Sequence, residues 1–184
     1  MGSSKKTIDT TASFIILKMI SIQKATVKDI PQIQNIARIT WPIAFKNILS
    51  SNQLEYMLEL MYATDTLHTQ IAGKEIVFWL AMLNDSILGF MAFEPDLKLR
   101  DKIKIHKLYI DPTAQGKGIG RIFLKKLEEY GRSNSFEKLT LNVNKYNHSA
   151  IKFYTKQGFK KIEDVIIPIG KGYVMDDFVF TKNI

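Results

Sequence analysis

The feature of this sequence that constrains the fold most is a cluster of glycines placed between a strand and a helix. The run "KIKIHKLYID", residues 102–111, alternates in polarity and therefore predicts a strand. A proline turn follows it, and three of the five residues from Gly116 to Gly120 are glycine. The next run, "RIFLKKLEEYGRSN", has apolar residues at helical spacing and predicts a helix that ends at Gly131. The loop between strand and helix therefore has few side chains and an accessible backbone.

A glycine-rich loop at the start of a helix is suited to binding an anion. The first N–H groups of a helix have no partner within it, and the helix dipole favours negative charge at that end. The loop therefore predicts a ligand that carries phosphate. A P-loop is excluded because Lys117 is followed by Gly118 instead of Ser or Thr. A dinucleotide fingerprint is excluded because Arg121 stands where the third glycine is needed, and the next strand ends in asparagines instead of a ribose-binding acid.

The composition is that of an ordinary folded protein with one domain. The 184 residues are 46% hydrophobic and 24% charged, and a chain of this length is expected to have one core. There is no cysteine, which excludes disulfides, cysteine-ligated metal sites and a thiol nucleophile and accords with a cytoplasmic protein. No segment reaches the roughly 20 apolar residues that would cross a membrane. We interpret residues 1–18 as an N-terminal extension, flexible or added to the natural chain, and residues 19–184 as the domain.

The net charge of +8 indicates a polyanionic partner. Nucleic acid, an acidic membrane surface and a multiply phosphorylated small molecule would all satisfy it, and the charge by itself does not choose among them. The aromatic residues follow the spacing of a core and do not alternate with lysine and arginine on a stacking surface. A nucleic-acid-binding module is therefore the disfavoured interpretation.

The rest of the pattern predicts a mixed α+β domain with about seven strands and four or five helices. A strand at "MISIQKA" precedes a helix that follows Thr26, and two further helices are expected after Ser51, the second ending at Gly73. Two apolar runs separated by "NDS" predict a hairpin. A strand at "KLTLNV", a short helix that ends at Gly158 and two strands around "IGKG" complete the chain.

Two motifs resemble those of the GNAT acetyltransferase superfamily. Gln115, Gly118 and Gly120 match its acetyl-coenzyme A signature, Gln/Arg-x-x-Gly-x-Gly/Ala. Further along the chain, "NHSAIKFYTKQGF" is similar to a second motif of the family. The matching positions are Asn147, Ala150, Phe153, Tyr154, Gly158 and Phe159. The resemblance covers roughly residues 20–184 and implies a mixed, mostly antiparallel central sheet flanked by helices, with a splayed pair of strands at the cofactor site.

The resemblance implies an enzyme that transfers an acetyl group from acetyl-CoA to a primary amine without a metal. The stretches "ITWPIAF", "LEYMLELMY" and "LGFMAFEPD" resemble the PaiA-type branch, which acts on polyamines and other small amines. Protein N-terminal acetyltransferases of the RimI type share both strong motifs, and a non-catalytic acetyl-CoA sensor is a further alternative. We therefore expect acetyl-CoA and a small amine as partners and leave a homodimer open.

The resemblance also implies which residues bind acetyl-CoA. Its pyrophosphate is expected on the N–H groups of the loop, with charge supplied by Lys117, Arg121 and Lys125. A bulge in the preceding strand would leave backbone groups of Leu108 and Ile110 free to hold the pantetheine arm and to stabilise an oxyanion. The complete set is Leu108, Tyr109, Ile110, Gln115, Gly116, Lys117, Gly118, Ile119, Gly120, Arg121, Asn144 and Asn147.

Without cysteine, the simplest mechanism is direct attack of the amine on the thioester in a ternary complex. The resemblance places Tyr154 beside the cofactor, and we predict that it protonates the departing thiolate, because a tyrosine hydroxyl stays protonated at neutral pH. The amine must lose a proton, and Glu94 and His106 are the candidate bases. Acids that such a fold places around the acceptor cleft would attract a cationic amine. They are Glu94, Asp96, Glu163, Asp164, Asp176 and Asp177.

Overall fold

A single sheet organises the protein. The computed structural model describes residues 19–99 and 101–184, so the interpretation of residues 1–18 lies outside the described residues. The strands are β1 (Ser21–Lys24), β2 (Val77–Leu83), β3 (Ser86–Pro95), β4 (Lys102–Ile110), β5 (Lys138–Asn144), β6 (Lys160–Gly170) and β7 (Tyr173–Asn183). In the described part of the chain these seven strands form one sheet in the order β1, β2, β3, β4, β5, β7, β6. Neighbouring strands are antiparallel except for β4 and β5, which confirms the predicted mixed, mostly antiparallel sheet.

The helices lie between the strands where the apolar spacing predicts them. They are α1 (Ile30–Ala44), α2 (Ser51–Tyr62), α3 (Thr64–Gly73), α4 (Ile119–Ser133) and α5 (His148–Lys156). A short 3₁₀ turn before α1 begins at a capping box, in which the N–H and Oγ1 of Thr26 donate to Asp29 Oδ2 at 2.7 and 2.9 Å. Across residues 19–99 and 101–184, no helix combines the length and the apolar composition that a membrane crossing requires.

The predicted end of α4 at Gly131 is wrong. The helix continues to Ser133, and Gly131 is buried inside it. The reason is packing: a Cβ at Gly131 would overlap the side chain of Ile184, and it would lie 3.4 Å from Cδ1 of Ile103. The small residue at this position lets Ile184 pack closely against the helix, and it does not mark a helix end.

The sheet separates two hydrophobic cores. On one face, α4 and α5 pack on the sheet through residues such as Phe123 and Leu127, against Phe93 of β3. On the other face, α1 to α3 pack through residues such as Ile33, against Phe90 of β3. The central strand β4 therefore lies between both helical layers.

β4 and β5 pair over only part of their length. Their register runs from Lys102 opposite Lys138 to Ile105 opposite Leu141 and then stops. On its other side β4 has a bulge: Ile105 and Lys107 pair with consecutive residues of β3, so His106 is an extra residue. Beyond it β4 remains paired with β3 but has parted from β5. This confirms the bulge and the splayed strand pair that the resemblance implied.

Candidate active site

The loop before α4 presents a row of free backbone N–H groups. Gly116 and Gly118 have φ angles of +77° and +82°, a conformation that favours glycine, and Gly118 is the N-cap of α4. Among the described residues, the N–H groups from Gly116 to Gly120 have no hydrogen-bond partner. Consecutive free N–H groups at a helix N-terminus form a concave site for an anion. The local geometry therefore agrees with the predicted phosphate-binding loop.

The last glycine of the loop has a different task from the first two. A Cβ on Gly120 would lie 2.9 Å from Cζ of Phe153, so its absence allows α4 to lie directly against α5. The start of α5 is fixed by Asn147, whose Oδ1 accepts a hydrogen bond from the N–H of Ala150 at 3.1 Å. Together these contacts position the N-termini of both helices on the same side of the sheet.

A groove of about 640 Å³, called here the loop groove, runs between the glycine loop, the parted end of β4 and α5. Every residue predicted to bind the cofactor lines it except Lys117 and Asn144. Asn144 lies in a second cavity instead. The carbonyl of Ile110 accepts a hydrogen bond from Nε2 of Gln115 at 3.1 Å, so that carbonyl is not free as the sequence predicted. Of the three predicted cationic groups, Arg121 alone lines the groove.

The second cavity, called here the inner cavity, has a volume of about 330 Å³ and lies between the sheet and helices α1 and α2. Aromatic side chains form much of its wall: the rings of Trp41 and Tyr62 are 5.6 Å apart, and those of Trp41 and Tyr109 are 5.9 Å apart. Trp41 Nε1 and the Tyr62 hydroxyl are buried there without a hydrogen-bond partner among the described residues. The wall thus offers ring faces and two unused polar atoms.

The loop groove and the inner cavity share one boundary, where β4 leaves β5. The residues that line both are Leu108, Tyr109, Asn147, Ala150 and Tyr154. A molecule in the loop groove and another in the inner cavity would meet there. The arrangement can therefore bring two reactants together from opposite sides of the sheet.

Tyr154 lies on α5 at this boundary and is 9% exposed. Its ring packs between those of Phe153 and Phe159, with centroid distances of 5.2 and 5.6 Å. The hydroxyl has no hydrogen-bond partner among the described residues. Burial, with a smaller contribution from Tyr109, raises its pKa well above the usual value, so the hydroxyl is protonated at neutral pH. Tyr154 can therefore donate a proton at the place where the two spaces meet.

The two predicted bases form a pair with each other. Nε2 of His106 and Oε2 of Glu94 are 2.8 Å apart. A carboxylate can only accept, so Nε2 donates and Nδ1 of a neutral ring keeps its lone pair. Burial of the ring and the nearby charges of Lys107 and Lys104 lower the pKa of His106, although Glu94 opposes the shift. His106 lines the inner cavity, whereas Glu94 does not.

Of the six acids predicted around the acceptor cleft, Asp177 is the one that lines the inner cavity. The other five do not line it. Asp96 accepts hydrogen bonds from the N–H groups of Lys98 and Leu99 in a turn. Asp164 and Asp176 instead form ion pairs with Lys145, at 3.4 and 2.6 Å. Glu94 is bound to His106 as described above, and Glu163 lines neither space.

Lys107 is a half-buried cation that the sequence did not single out. Its Nζ lies over the rings of Tyr62 and Phe78, 5.5 and 5.8 Å from their centroids. Burial lowers its pKa to about 8. Alternation along β4 would have placed this side chain on the opposite face, but the bulge at His106 shifts the phase of the strand by one residue. The register with β3 is therefore the signal that locates Lys107.

Comparison with known proteins identifies the family. The sequence profile described as "Acetyltransferase (GNAT) family" matches residues 32–159, more than half of the chain. The chain belongs to the GNAT acetyltransferase family. It is therefore an N-acetyltransferase that takes its acetyl group from acetyl-CoA, as the two sequence motifs predicted.

Similar proteins of this family match almost the whole domain. A spermidine N(1)-acetyltransferase from Thermoplasma acidophilum is 26% identical over 162 residues, covering 85% of this chain and 96% of that protein. An N-acetyltransferase from Lactobacillus delbrueckii subsp. lactis is 24% identical over 168 residues, covering 89% and 96%. The crystal structure of the Thermoplasma acidophilum PaiA N-acetyltransferase in complex with coenzyme A has a TM-score of 0.77 at 24% identity, covering 90% and 99%. This structure shares the GNAT fold with the present chain.

The site of this GNAT protein fits its donor without a metal ligand set. The free N–H groups of the loop and the guanidinium of Arg121 suit the phosphates of coenzyme A. Within residues 19–99 and 101–184, no group of three or more His, Asp and Glu side chains is arranged to bind a metal ion. The described residues thus offer hydrogen-bond donors and proton-transfer groups for acetyl transfer.

Proposed function

We propose that this acetyltransferase acetylates the primary amine of a small molecule, with a polyamine as the preferred class. The observation that carries the proposal is the shared boundary of the loop groove and the inner cavity at Leu108 and Tyr154. Donor and acceptor enter separate spaces and meet at one point. Such an arrangement supports direct transfer in a ternary complex.

The donor occupies the loop groove in this proposal. Its pyrophosphate binds the N–H groups from Gly116 to Gly120, and Arg121 adds a positive charge. Its pantetheine arm lies along the end of β4 that has parted from β5, in the manner of an added strand. The N–H of Leu108 is the group we assign to the oxyanion that forms on the thioester carbonyl.

The acceptor enters the inner cavity. A space of about 330 Å³ admits one end of a slender amine, and the aromatic wall of Trp41, Tyr62 and Tyr109 offers ring faces to a cation. The similarity to a spermidine N(1)-acetyltransferase over 85% of the chain supports a polyamine in particular.

In this proposal the amine attacks the thioester directly, and an acyl-cysteine intermediate is excluded because the chain has no cysteine. The amine attacks the thioester, and Tyr154 donates its proton to the sulfur as the carbon–sulfur bond breaks. Its raised pKa keeps the proton in place until charge develops on the sulfur.

The proposal is tested by measuring release of the free coenzyme A thiol with a panel of acceptors. The panel contains spermidine, a simple alkyl diamine, an aminoglycoside, free amino acids and peptides with free N-termini. We expect turnover with spermidine and the diamine that exceeds turnover with the peptides. Turnover with peptides alone would overturn the small-amine proposal, and turnover with none of them would favour an acetyl-CoA sensor.

A further inference from the structure

The inner cavity has an unusual distribution of charge. Among the described residues that line it, Lys104, His106 and Lys107 carry basic side chains, and Asp177 is the single carboxylate. Asp177 is 6% exposed, so its charge is buried and directed into a small space. Among the described residues that line the cavity, Asp177 is therefore the one group that can form an ion pair with a bound cation.

The pairing of β5 with β7 places Asp177 in the cavity. Asn144 and Asp177 are partners in this antiparallel pair, so their side chains share the face that α1 and α2 cover. Tyr109 of β4 is close enough for the Asp177 charge to raise the pKa of its hydroxyl, although burial is the larger cause. Asp177 lines the same cavity as Leu108, Tyr109 and Tyr154, which also line the loop groove.

Asp177 differs from the adjacent Asp176 in its ion pairing. Asp176 forms an ion pair with Lys145 at 2.6 Å. Among the described residues, no cationic group lies within ion-pair distance of Asp177. A buried carboxylate without a cationic partner costs free energy, and a cation supplied by a ligand removes that cost.

We propose that Asp177 binds the protonated amine of the acceptor and accepts its proton before attack on the thioester. The inference rests on the proposed function and deepens it by assigning the amine to one carboxylate. It also replaces Glu94, which lies outside the cavity, as a base. His106 is the competing group, because its Nδ1 is available on the same cavity.

Each proton that moves in this reaction has a donor and an acceptor. The acceptor ammonium gives one proton to the carboxylate of Asp177, which later releases it to solvent. The neutral amine forms a carbon–nitrogen bond with the acetyl carbon, the carbon–sulfur bond breaks, and the sulfur receives the proton of Tyr154. The nitrogen then returns its surplus proton to the Tyr154 oxygen. The net products are the acetylated amine, free coenzyme A and one proton.

The surroundings of Asp177 suit this role. Burial, with a smaller contribution from Asp176, raises its pKa to about 6. Asn142, Lys104 and Lys145 oppose the shift by stabilising the charged form. The other titratable groups at this part of the cavity are His106, Lys107, Tyr109 and, from α2, Tyr62. The carboxylate is therefore mostly ionised at pH 7 and is a stronger proton acceptor than an exposed aspartate.

The test uses Asp177→Asn, which keeps the shape of the side chain, and Asp176→Asn as the matched control. We expect Asp177→Asn to lower kcat/KM for the preferred amine roughly 10²-fold or more, and to weaken amine binding to the coenzyme A complex roughly 30-fold or more by calorimetry. Acetyl-CoA affinity should remain unchanged in both variants. In the wild type, kcat/KM should rise as the pH passes about 6, and this limb should be absent in Asp177→Asn.

A third variant, His106→Gln, separates the two bases. The inference requires that His106→Gln keeps the limb near pH 6, whereas loss of that limb in this variant would make His106 the base and overturn the inference. Unchanged amine affinity and an unchanged pH profile in Asp177→Asn would also overturn it. Failure of the proposed function has a different signature, because the wild type would then turn over none of the small amines.

Discussion

Gly120 of α4 lies directly against the ring of Phe153 on α5, with room for no side chain between them. This contact brings together two helices whose N-termini both border the loop groove. The glycine loop therefore contains two kinds of glycine. Gly116 and Gly118 satisfy a backbone conformation, and Gly120 satisfies a packing distance.

Gly120→Ala should destabilise the protein by about 1–3 kcal/mol, because a methyl group must displace the Phe153 ring in a packed interface. Urea denaturation measures the change. Gly73→Ala is the matched control, since a Cβ at Gly73 meets no atom within 4 Å and an alanine there is expected to be neutral or slightly stabilising. Equal stability of the two variants would show that the helix contact is loose.

Gly118→Asp should abolish measurable binding of acetyl-CoA in calorimetry. It adds a negative charge beside the free N–H groups and a side chain at a φ of +82°. Gly172→Asp is the control, because Gly172 has a φ of +75°, lies in the β6–β7 turn and lines neither space. It carries the same strain and charge elsewhere. Loss of binding in both variants would attribute the effect to folding and not to the loop.

Tyr154→Phe should lower kcat roughly 10²-fold and leave acetyl-CoA affinity nearly unchanged, because the ring and its packing remain while the proton donor is removed. Steady-state kinetics and calorimetry together provide the measurement. Tyr130→Phe removes a hydroxyl from a half-buried tyrosine, which packs on Trp79 and Phe93, and should retain wild-type kcat. A wild-type kcat in Tyr154→Phe would assign the proton to water.

Lys107 should make the stability of the protein depend on pH. Its folded pKa is about 8, below the unfolded value, so the penalty of a buried charge is complete below pH 8 and disappears as the pH rises toward 10.5. The free energy of unfolding should therefore rise by up to about 3 kcal/mol over this range relative to Lys107→Met. Urea denaturation at both ends of the range measures it. Lys125→Met, at an exposed position, should behave as the wild type.

Local chemistry explains which parts of the site the sequence could predict. The turn at Gly116 and Gly118 and the cap at Asn147 depend on neighbours a few residues away, so a spacing pattern captures them. The bulge at His106 determines which face of the sheet the later side chains of β4 occupy, and the sequence of β4 alone does not show where the bulge lies. The bulge becomes visible only in the pairing with β3, and it determines that Lys107 faces the helices α1 to α3.

Residues distant in sequence account for the errors. Gly131 was expected to end α4, but its small size instead allows Ile184 to pack against the helix. Ile184 follows three further strands in the sequence, so no local pattern around Gly131 predicts this contact. Six acids were expected around the acceptor cleft. Between the neighbours Asp176 and Asp177, the register of β7 with β5 places Asp177 on the cavity face, because adjacent residues of a strand face opposite sides.

The early end of the β4–β5 pairing has a mechanical consequence. Four residue pairs, Lys102 with Lys138 through Ile105 with Leu141, form the seam between the strands β1 to β4 and the strands β5 to β7. In the proposed binding mode, acetyl-CoA in the loop groove contacts β4 on one side of this seam and α5 on the other. The bound donor then bridges β4 and α5 at the end of the sheet where β4 and β5 are not paired. Because the donor binds only when both groups of strands are in place, its binding free energy stabilises the contact between β1 to β4 and β5 to β7. We therefore expect this contact to be more stable in the acetyl-CoA complex than in the free enzyme.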